Sequence, residues 1–295
     1  MKLTEKPIMI DALRLCLEVE NSYHIDQLKK LQVGERYDLY DFHLFRIEGR
    51  YFDNVYIIRF LEGEKTTDYG ELKFNLNGSE EDNNTHSNGL KKVWLAINNS
   101  VFYAKDDLHY YSYIASTLGL YPHNITALDL CCDVSFDVGK RIKAHLRNKE
   151  ITTILNGKRI KDRSQDRPEI SYKYSGSLDK DKYLSVYLKQ KKAIKDKSKG
   201  LTLTAYNKQA EIANSSGKDY ISDFYQNPKR LYRLEIHLNN EEIKEYFNGQ
   251  EFDYYYWALH SQEELRKLFL HHLNRLLRFE KDGTRIAWET ILWGI

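Results

Sequence analysis

The chain has 295 residues, 41% of them apolar and 30% charged, which is enough for one large domain or two smaller ones. A net charge of +2 fits neither a basic nucleic-acid rod nor an acidic tail, and 23 Tyr, 12 Phe and 4 Trp supply an ample core, excluding disorder over most of the length. Cys16, Cys131 and Cys132 show no Cys-x-x-Cys spacing, which excludes a disulfide scaffold or a cysteine-based zinc site; with no membrane-length apolar run and no leader pattern, a soluble cytoplasmic protein with no membrane partner is expected.

The first hundred residues read as strands. Ile8–Val19, Tyr37–Ile47, Tyr51–Leu61 and Tyr69–Leu76 are rich in Tyr, Phe and Ile with rough alternation, punctuated by Gly34, Gly49, Gly63 and Gly70. A polar loop spans Gly78–Gly89, and a strand follows at Val93–Asn98. Asp106 or Asp107 can cap a helix through Tyr110, Ile114 and Leu118 to the stop at Gly119. Next come a strand (Ile125–Phe136), a helix (Val138–Arg147), a basic loop, and strands near Ile170–Tyr174, Tyr183–Lys189, Leu201–Tyr206 and Leu231–Leu238. A helix starts near Asn240. Two terminal helices close the chain, one with Leu265, Leu268, His272, Leu276 and Phe279 on one face, the other over Arg285–Leu292. The adjacent His271 and His272 on the first are assigned to packing.

The expected fold is α+β, a largely antiparallel sheet with helices packed on one face. The expected divisions are a β-rich part over 1–104, a core over 105–250 with a basic insert at 149–200, and a helical segment over 251–295.

Charge is unevenly spread. From Lys140 to Lys208 there are 20 basic and 7 acidic residues; the remainder holds 25 basic and 36 acidic. Within the cationic stretch, Lys189, Lys191, Lys192, Lys195, Lys197 and Lys199 follow a group of tyrosines. Lysines release counterions from phosphates and rings stack on unpaired bases, so this stretch is a candidate DNA contact.

Four central strands share a pattern. In Leu128–Phe136 the even positions are apolar and the odd ones include Asp129 and Asp133; Leu201–Lys208 sets Leu201, Leu203 and Ala205 against Tyr206 and Lys208. Leu231–Leu238 sets Leu234, Ile236 and Leu238 against Arg233, Glu235 and His237, and Tyr183–Lys189 sets Tyr187 and Lys189 on the polar side. In one sheet these strands would present Asp129, Tyr206, Lys208, Arg233, Glu235 and His237 together. Oxygen and nitrogen ligands of that kind, Asp129, Glu235 and His237, suit Mg²⁺ or Mn²⁺. A tyrosine beside such an ion can attack phosphorus, with a lysine stabilising the developing charge. Asp129 and Asp133 lie about 13 Å apart along a regular strand and cannot share one ion, so mid-strand Asp129 is taken and Asp133 held in reserve.

At these residues the chain resembles the rolling-circle replication initiators of plasmids and filamentous phages, the gene II-type nicking proteins and related plasmid initiation factors. MIDALRLCLEV (Met9–Val19), NNSVFYAKDDL (Asn98–Leu108), ITALDLCCDVSFD (Ile125–Asp137), KRIKAHLRN (Lys140–Asn148), LTAYNKQAEI (Leu203–Ile212) and RLYRLEIHL (Arg230–Leu238) follow the family's order. The resemblance places Tyr206 on the nucleophile of a Tyr-x-Lys-x-x-Glu segment, Lys208 on its lysine, Asp129 on the strand aspartate and Glu235 on the strand glutamate. Leu128 stands where the family usually has a basic residue, so that a phosphate or carboxylate contact is either missing or supplied by Arg233, and there is no His-hydrophobic-His motif. Tyr187 opens a rival Tyr-x-Lys but lacks the glutamate that Tyr206 has in Glu211.

The resemblance implies an initiator that nicks one DNA strand at an origin through a 5′-phosphotyrosyl link on Tyr206 and later rejoins it. Its partners would be single-stranded or melted origin DNA, a host helicase and polymerase, and a second copy in a homodimer; its ion would be Mg²⁺ or Mn²⁺. The alternatives are a conjugal mobilisation relaxase using the same chemistry and a non-catalytic single-stranded nucleic-acid binder.

Overall fold

The computed structural model describes residues 8–62, 65–75, 92–104, 110–160, 170–175, 183–189, 200–250 and 252–294. The chain is α+β with antiparallel strand pairing, and it divides into two compact units, Ala12–Ala127 and Met1–Asp11 with Leu128–Ile295. The sequence-based boundaries near 104 and 250 are not boundaries of these units.

In the unit Ala12–Ala127 the elements are β1 (Met9–Val19, shared with the other unit), α1 (Tyr23–Lys30), β2 (Arg36–Asp38), β3 (Phe42–Ile47), β4 (Asn54–Glu62), β5 (Lys65–Phe74), β6 (Lys92–Ile97), α2 (Tyr110–Thr117) and β7 (Leu120–Val134, also shared). Strand order is β7-β1-β6-β5-β4-β3-β2. The single strand expected over Tyr37–Ile47 breaks into β2 and β3, where Leu39 N donates to Phe42 O at 2.9 Å and closes a turn. Helix α1 was not foreseen, because only Ile25 and Leu28 carry its apolar face; both are fully buried, and the hydroxyl of buried Tyr56 donates to Leu28 O at 2.7 Å. The expected caps Asp106 and Asp107 lie outside the described residues.

Gly70 shows how tightly this sheet is closed. It pairs with Ile58 next to a β-bulge at Tyr69 of β5 and with Ile97 of β6, and a Cβ there would sit 2.3 Å from the Ala96 carbonyl oxygen. Alanine in a strand ordinarily gains about 0.5–1 kcal/mol over glycine. Backbone overlap of this size outweighs that gain, at about 1–3 kcal/mol for overpacking. Gly70→Ala is therefore expected to lower stability, read as a lower denaturant midpoint; an unchanged or higher midpoint would contradict the close approach.

The second unit adds α3 (Val138–Arg147), β8 (Ile151–Leu155), β9 (Lys158–Arg159), β10 (Ile170–Ser175), β11 (Tyr183–Lys189), β12 (Thr202–Asn207), α4 (Lys208–Glu211) running into a π turn, α5 (Asp219–Phe224), β13 (Tyr232–Asn239), α6 (Asn240–Tyr246), α7 (Phe252–His260), α8 (Gln262–Leu276), β14 (Leu277–Lys281), β15 (Thr284–Ile286) and α9 (Trp288–Trp293). Its large sheet runs β10-β11-β12-β13-β7-β1, and a small sheet runs β15-β14-β8-β9. Helix α3 begins where Asp137 accepts from Lys140 N at 2.8 Å and buries Val138, Ile142 and Leu146.

The C-terminus departs from the helical reading. Helix α8 stops at Leu276, Phe279 lies in β14, and Arg285 lies in β15 rather than in the last helix, which starts at Trp288. The cause is Asp282–Gly283, both at positive φ (51° and 78°), a two-residue hairpin turn whose twist suits the flanking strands. Asn156–Gly157 (φ 52° and 73°) builds the matching β8–β9 hairpin inside what read as a basic loop. His272 is fully buried, and burial pushes its imidazole down to about 3, so it packs as a neutral ring. The three cysteines are free and buried. No helix among the described residues is long and apolar enough to cross a membrane.

Candidate functional site

Strands β11, β12, β13 and β7 build the site. Pairing sets Tyr206 beside Arg233, Thr204 beside Glu235 and Thr202 beside His237, and continues outward to Tyr187 beside Thr204 and Lys189 beside Thr202. Directly opposed residues share a face. One face thus carries Tyr206, Arg233, Glu235 and His237 as a block, with Tyr187 and Lys189 one strand further out. The other face holds Leu203, Ala205, Leu234, Ile236, Leu238, Leu128 and Leu130, all fully buried. Core burial on one side therefore fixes which residues gather on the other.

Arg233 is the centre of the block. It is fully buried; its Nε and Nη2 each donate to Asp133 at 2.7 Å, and its Nη1 pairs with Asp11 of β1. The planar guanidinium fork meets both oxygens of Asp133 with parallel donors and Asp11 with a third, a geometry that a lysine ammonium does not match. Expected at the DNA, Arg233 instead ties β13 to β7 and β1. Asp133 is spent on it.

One residue-pair outward, Tyr206 Oη donates to Glu235 Oε2 at 2.9 Å, a diagonal contact across the β12–β13 pair. Burial raises the Tyr206 phenol well above its usual 10. Burial, then the charges of Asp11 and Asp129, raise Glu235 from 4.5 to about 7, against the pull of Arg233. Tyr187 lies two strand spacings from Glu235, about 10 Å, so the hydroxyl on that carboxylate belongs to Tyr206. At the far end of the block His237 Nδ1 pairs with Asp129.

Lys208 reaches the site by another route than expected. The strand ends at Asn207, whose side chain accepts from Ala210 N at 2.8 Å and starts α4. Lys208, 2% exposed, lies on that helical turn with its Nζ 2.8 Å from Glu211 and 5.7 Å from the centroid of the Tyr206 ring. A buried cation thus sits over the phenol, held by a carboxylate three residues on.

Asp11, Tyr220 and Tyr225 were not singled out by sequence, and Glu211 was read only as the last residue of the Tyr-x-Lys-x-x-Glu segment. Tyr220, pushed up to about 12 by burial and then by Asp11, and Tyr225, 4% exposed and driven far above its usual range by burial and Asp133, line the same cluster. The legible signals were Asp11 as the lone charge between Ile8 and Leu13, and the helical i,i+3 spacing of Lys208 and Glu211. Lys189 is half-buried at the end of β11; Lys191, Lys192, Lys195, Lys197 and Lys199 lie outside the described residues.

The donor chemistry of Asp129, Glu235 and His237 fits a hard divalent cation, since burial and the carboxylates of Asp11 and Asp129 already make Glu235 hard to ionise. As arranged, Asp129 is engaged by His237 and Glu235 by Tyr206. Among the described residues no group of three or more His, Cys, Asp or Glu side chains stands ready to hold an ion. No family model matches the chain, and no curated protein sequence matches it.

Two predictions follow from these charges. Arg233→Met strands Asp133 and Asp11 without their cation and is expected to destabilise by about 3–5 kcal/mol, seen as a large drop in urea midpoint; a near-neutral result would contradict the triad. For Glu235 the folded state holds a proton that the unfolded state releases near 4.5. Wild-type stability therefore falls as pH rises from about 4.5 to about 7, and no further loss arises above that. Glu235→Gln, in chelated buffer, removes this loss: the two proteins should match below pH 4.5, and the variant should gain relative stability up to about pH 7. A gap independent of pH would refute the raised carboxyl.

Proposed function

We propose that the chain is a site-specific DNA nicking enzyme of the rolling-circle initiator type, with Tyr206 as nucleophile. The observation that carries this reading is the Tyr206 hydroxyl on the Glu235 carboxylate with the buried Lys208 ammonium over its ring. The supporting context is a polar face built from the strands that carry the resemblance.

In this reading Tyr206 Oη attacks the phosphorus of a scissile phosphodiester in single-stranded or melted origin DNA. The O–P bond to Tyr206 forms, the P–O3′ bond breaks, Glu235 accepts the phenol proton, and the freed 3′ oxygen takes one from solvent. A carboxyl titrating near neutrality is matched to that exchange. Lys208 offsets the charge that the phenol develops, and Glu211 keeps the ammonium in place. Arg233 holds the strands and makes no contact with substrate. Asp129, Glu235 and His237 are the residues that would hold Mg²⁺ or Mn²⁺, whose chemistry is to neutralise the nonbridging oxygens. The phosphotyrosyl link conserves the bond energy, so reversal rejoins the strand, while the 3′-hydroxyl primes a host polymerase behind a host helicase. A mobilisation relaxase would run the same steps at a transfer origin.

The test incubates the protein with single-stranded oligonucleotides covering its native replicon and Mn²⁺, and looks for DNA-linked protein on a denaturing gel. An adduct is expected from wild type and Tyr187→Phe, none from Tyr206→Phe, and a rate lower by about 10²–10⁴ from Glu235→Gln. An adduct lost in Tyr187→Phe alone would move the nucleophile one strand outward. Tight, salt-sensitive binding with no adduct from any oligonucleotide would replace the nickase by a non-catalytic single-strand binder.

A further inference from the structure

We propose that the outer face of the small sheet β15-β14-β8-β9 is a second polyanion surface that seats the phosphate backbone of duplex DNA. The choice of DNA as partner rests on the nicking reading; the surface itself rests on register and charge. Pairing aligns Arg278 with Ile154 and Ile154 with Arg159 in one row, and Glu280 with both Thr152 and Arg285 in the next. The alternate positions Leu277, Phe279, Ile151, Thr153 and Leu155 are buried, with His145 of α3 5.1 Å from Phe279. The arginines therefore occupy the face turned away from the core.

That face holds three arginines against one glutamate. Glu280 is 3.1 Å from Arg278, while Arg159 and Arg285 are exposed. Arg159 Nη2 donates to Thr152 Oγ1 at 2.9 Å, which lays the guanidinium along the sheet. A second observation joins the hairpin to β11: at the tip of β8–β9 Asn156 Nδ2 donates to the backbone oxygen of Lys189 at 3.3 Å. The hairpin that carries Arg159 is thus tied at its turn to the end of β11.

The occupant follows from what the face lacks. Single strands are held by rings on which bases stack, and Thr152, Ile154, Arg159, Arg278, Glu280 and Arg285 include none. A flat array of guanidinium groups matches paired phosphates, whose spacing does not depend on sequence. The tyrosine-bearing face would engage the unpaired strand, and this face the duplex beside it.

The test measures binding of the full chain to a short blunt duplex of arbitrary sequence and to a single strand over a range of salt, for wild type and for the Arg159→Gln/Arg285→Gln variant. Loss of two phosphate contacts is expected to lower the slope of log affinity against log salt by about 2 for the duplex, with single-strand affinity unchanged. An unaltered duplex slope, an equal loss on both probes, or no duplex binding by wild type overturns the proposal. Adduct formation on single-stranded origin oligonucleotides, run with both proteins, separates the two readings: it should persist in the variant, and its absence from wild type removes the nickase while the slopes still judge the surface.

Discussion

The ion triad of Asp11, Arg233 and Asp133 is the constraint on which the site depends. A guanidinium with no solvent access cannot remain charged unless its donors are met, and here two strands on one side of β13 each send a carboxylate to meet them. The geometry leaves little slack: slipping β13 by one residue against β7 would point Arg233 into the apolar layer of Leu128 and Leu130 and expose Leu234 to the carboxylates. The triad thus sets the register in which Tyr206, Glu235 and His237 stand side by side.

The triad also sets the electrostatics. Two carboxylates share one guanidinium, so the cluster carries surplus negative charge, and Glu235 and Asp129 lie next to it. Burial removes the solvent that would screen them. Burial of its own carboxyl is the largest cause of the rise of Glu235 to about 7, and Asp11, which also pairs with Arg233, is the largest charged contributor to it. Arg233 lowers the Glu235 value but is already shared between two other acids. Lys208 is a nearby cation with a different allegiance, and its partner Glu211 keeps it beside the Tyr206 ring rather than drawing it into the cluster.

Much of this was legible because a strand buried on one face must alternate. Leu234, Ile236 and Leu238 against Arg233, Glu235 and His237 gave both the sheet and the membership of its polar face. Alternation could not show that Arg233 is turned inward by Asp133, since the residues that neutralise it are 100 and 222 positions away in sequence. Nor could it follow Lys208, where the Asn207 cap converts strand period to helix period within one residue. The C-terminal helix was overextended for a local reason. Leu276 and Phe279 fit a helical stripe, but Asp282–Gly283 is a hairpin turn, and Leu277 and Phe279 fit strand alternation equally well.

The Tyr206–Glu235 contact has a bland explanation, a buried phenol satisfied by a nearby acceptor, and energetics weigh against it. An amide would accept the same hydrogen bond without being ionised near the carboxylates of Asp11 and Asp129, so glutamine would serve a purely structural role better at this position. Keeping a titratable acid there lowers stability at neutral pH, and a buried lysine over the same ring adds a second desolvated charge. Local arrangements that spend stability in this way concentrate where charge must move during a reaction. The opposite face of these strands is apolar, so the desolvated charges are confined to a patch a few residues wide, which is what a nucleophile, its proton acceptor and a stabilising cation would occupy.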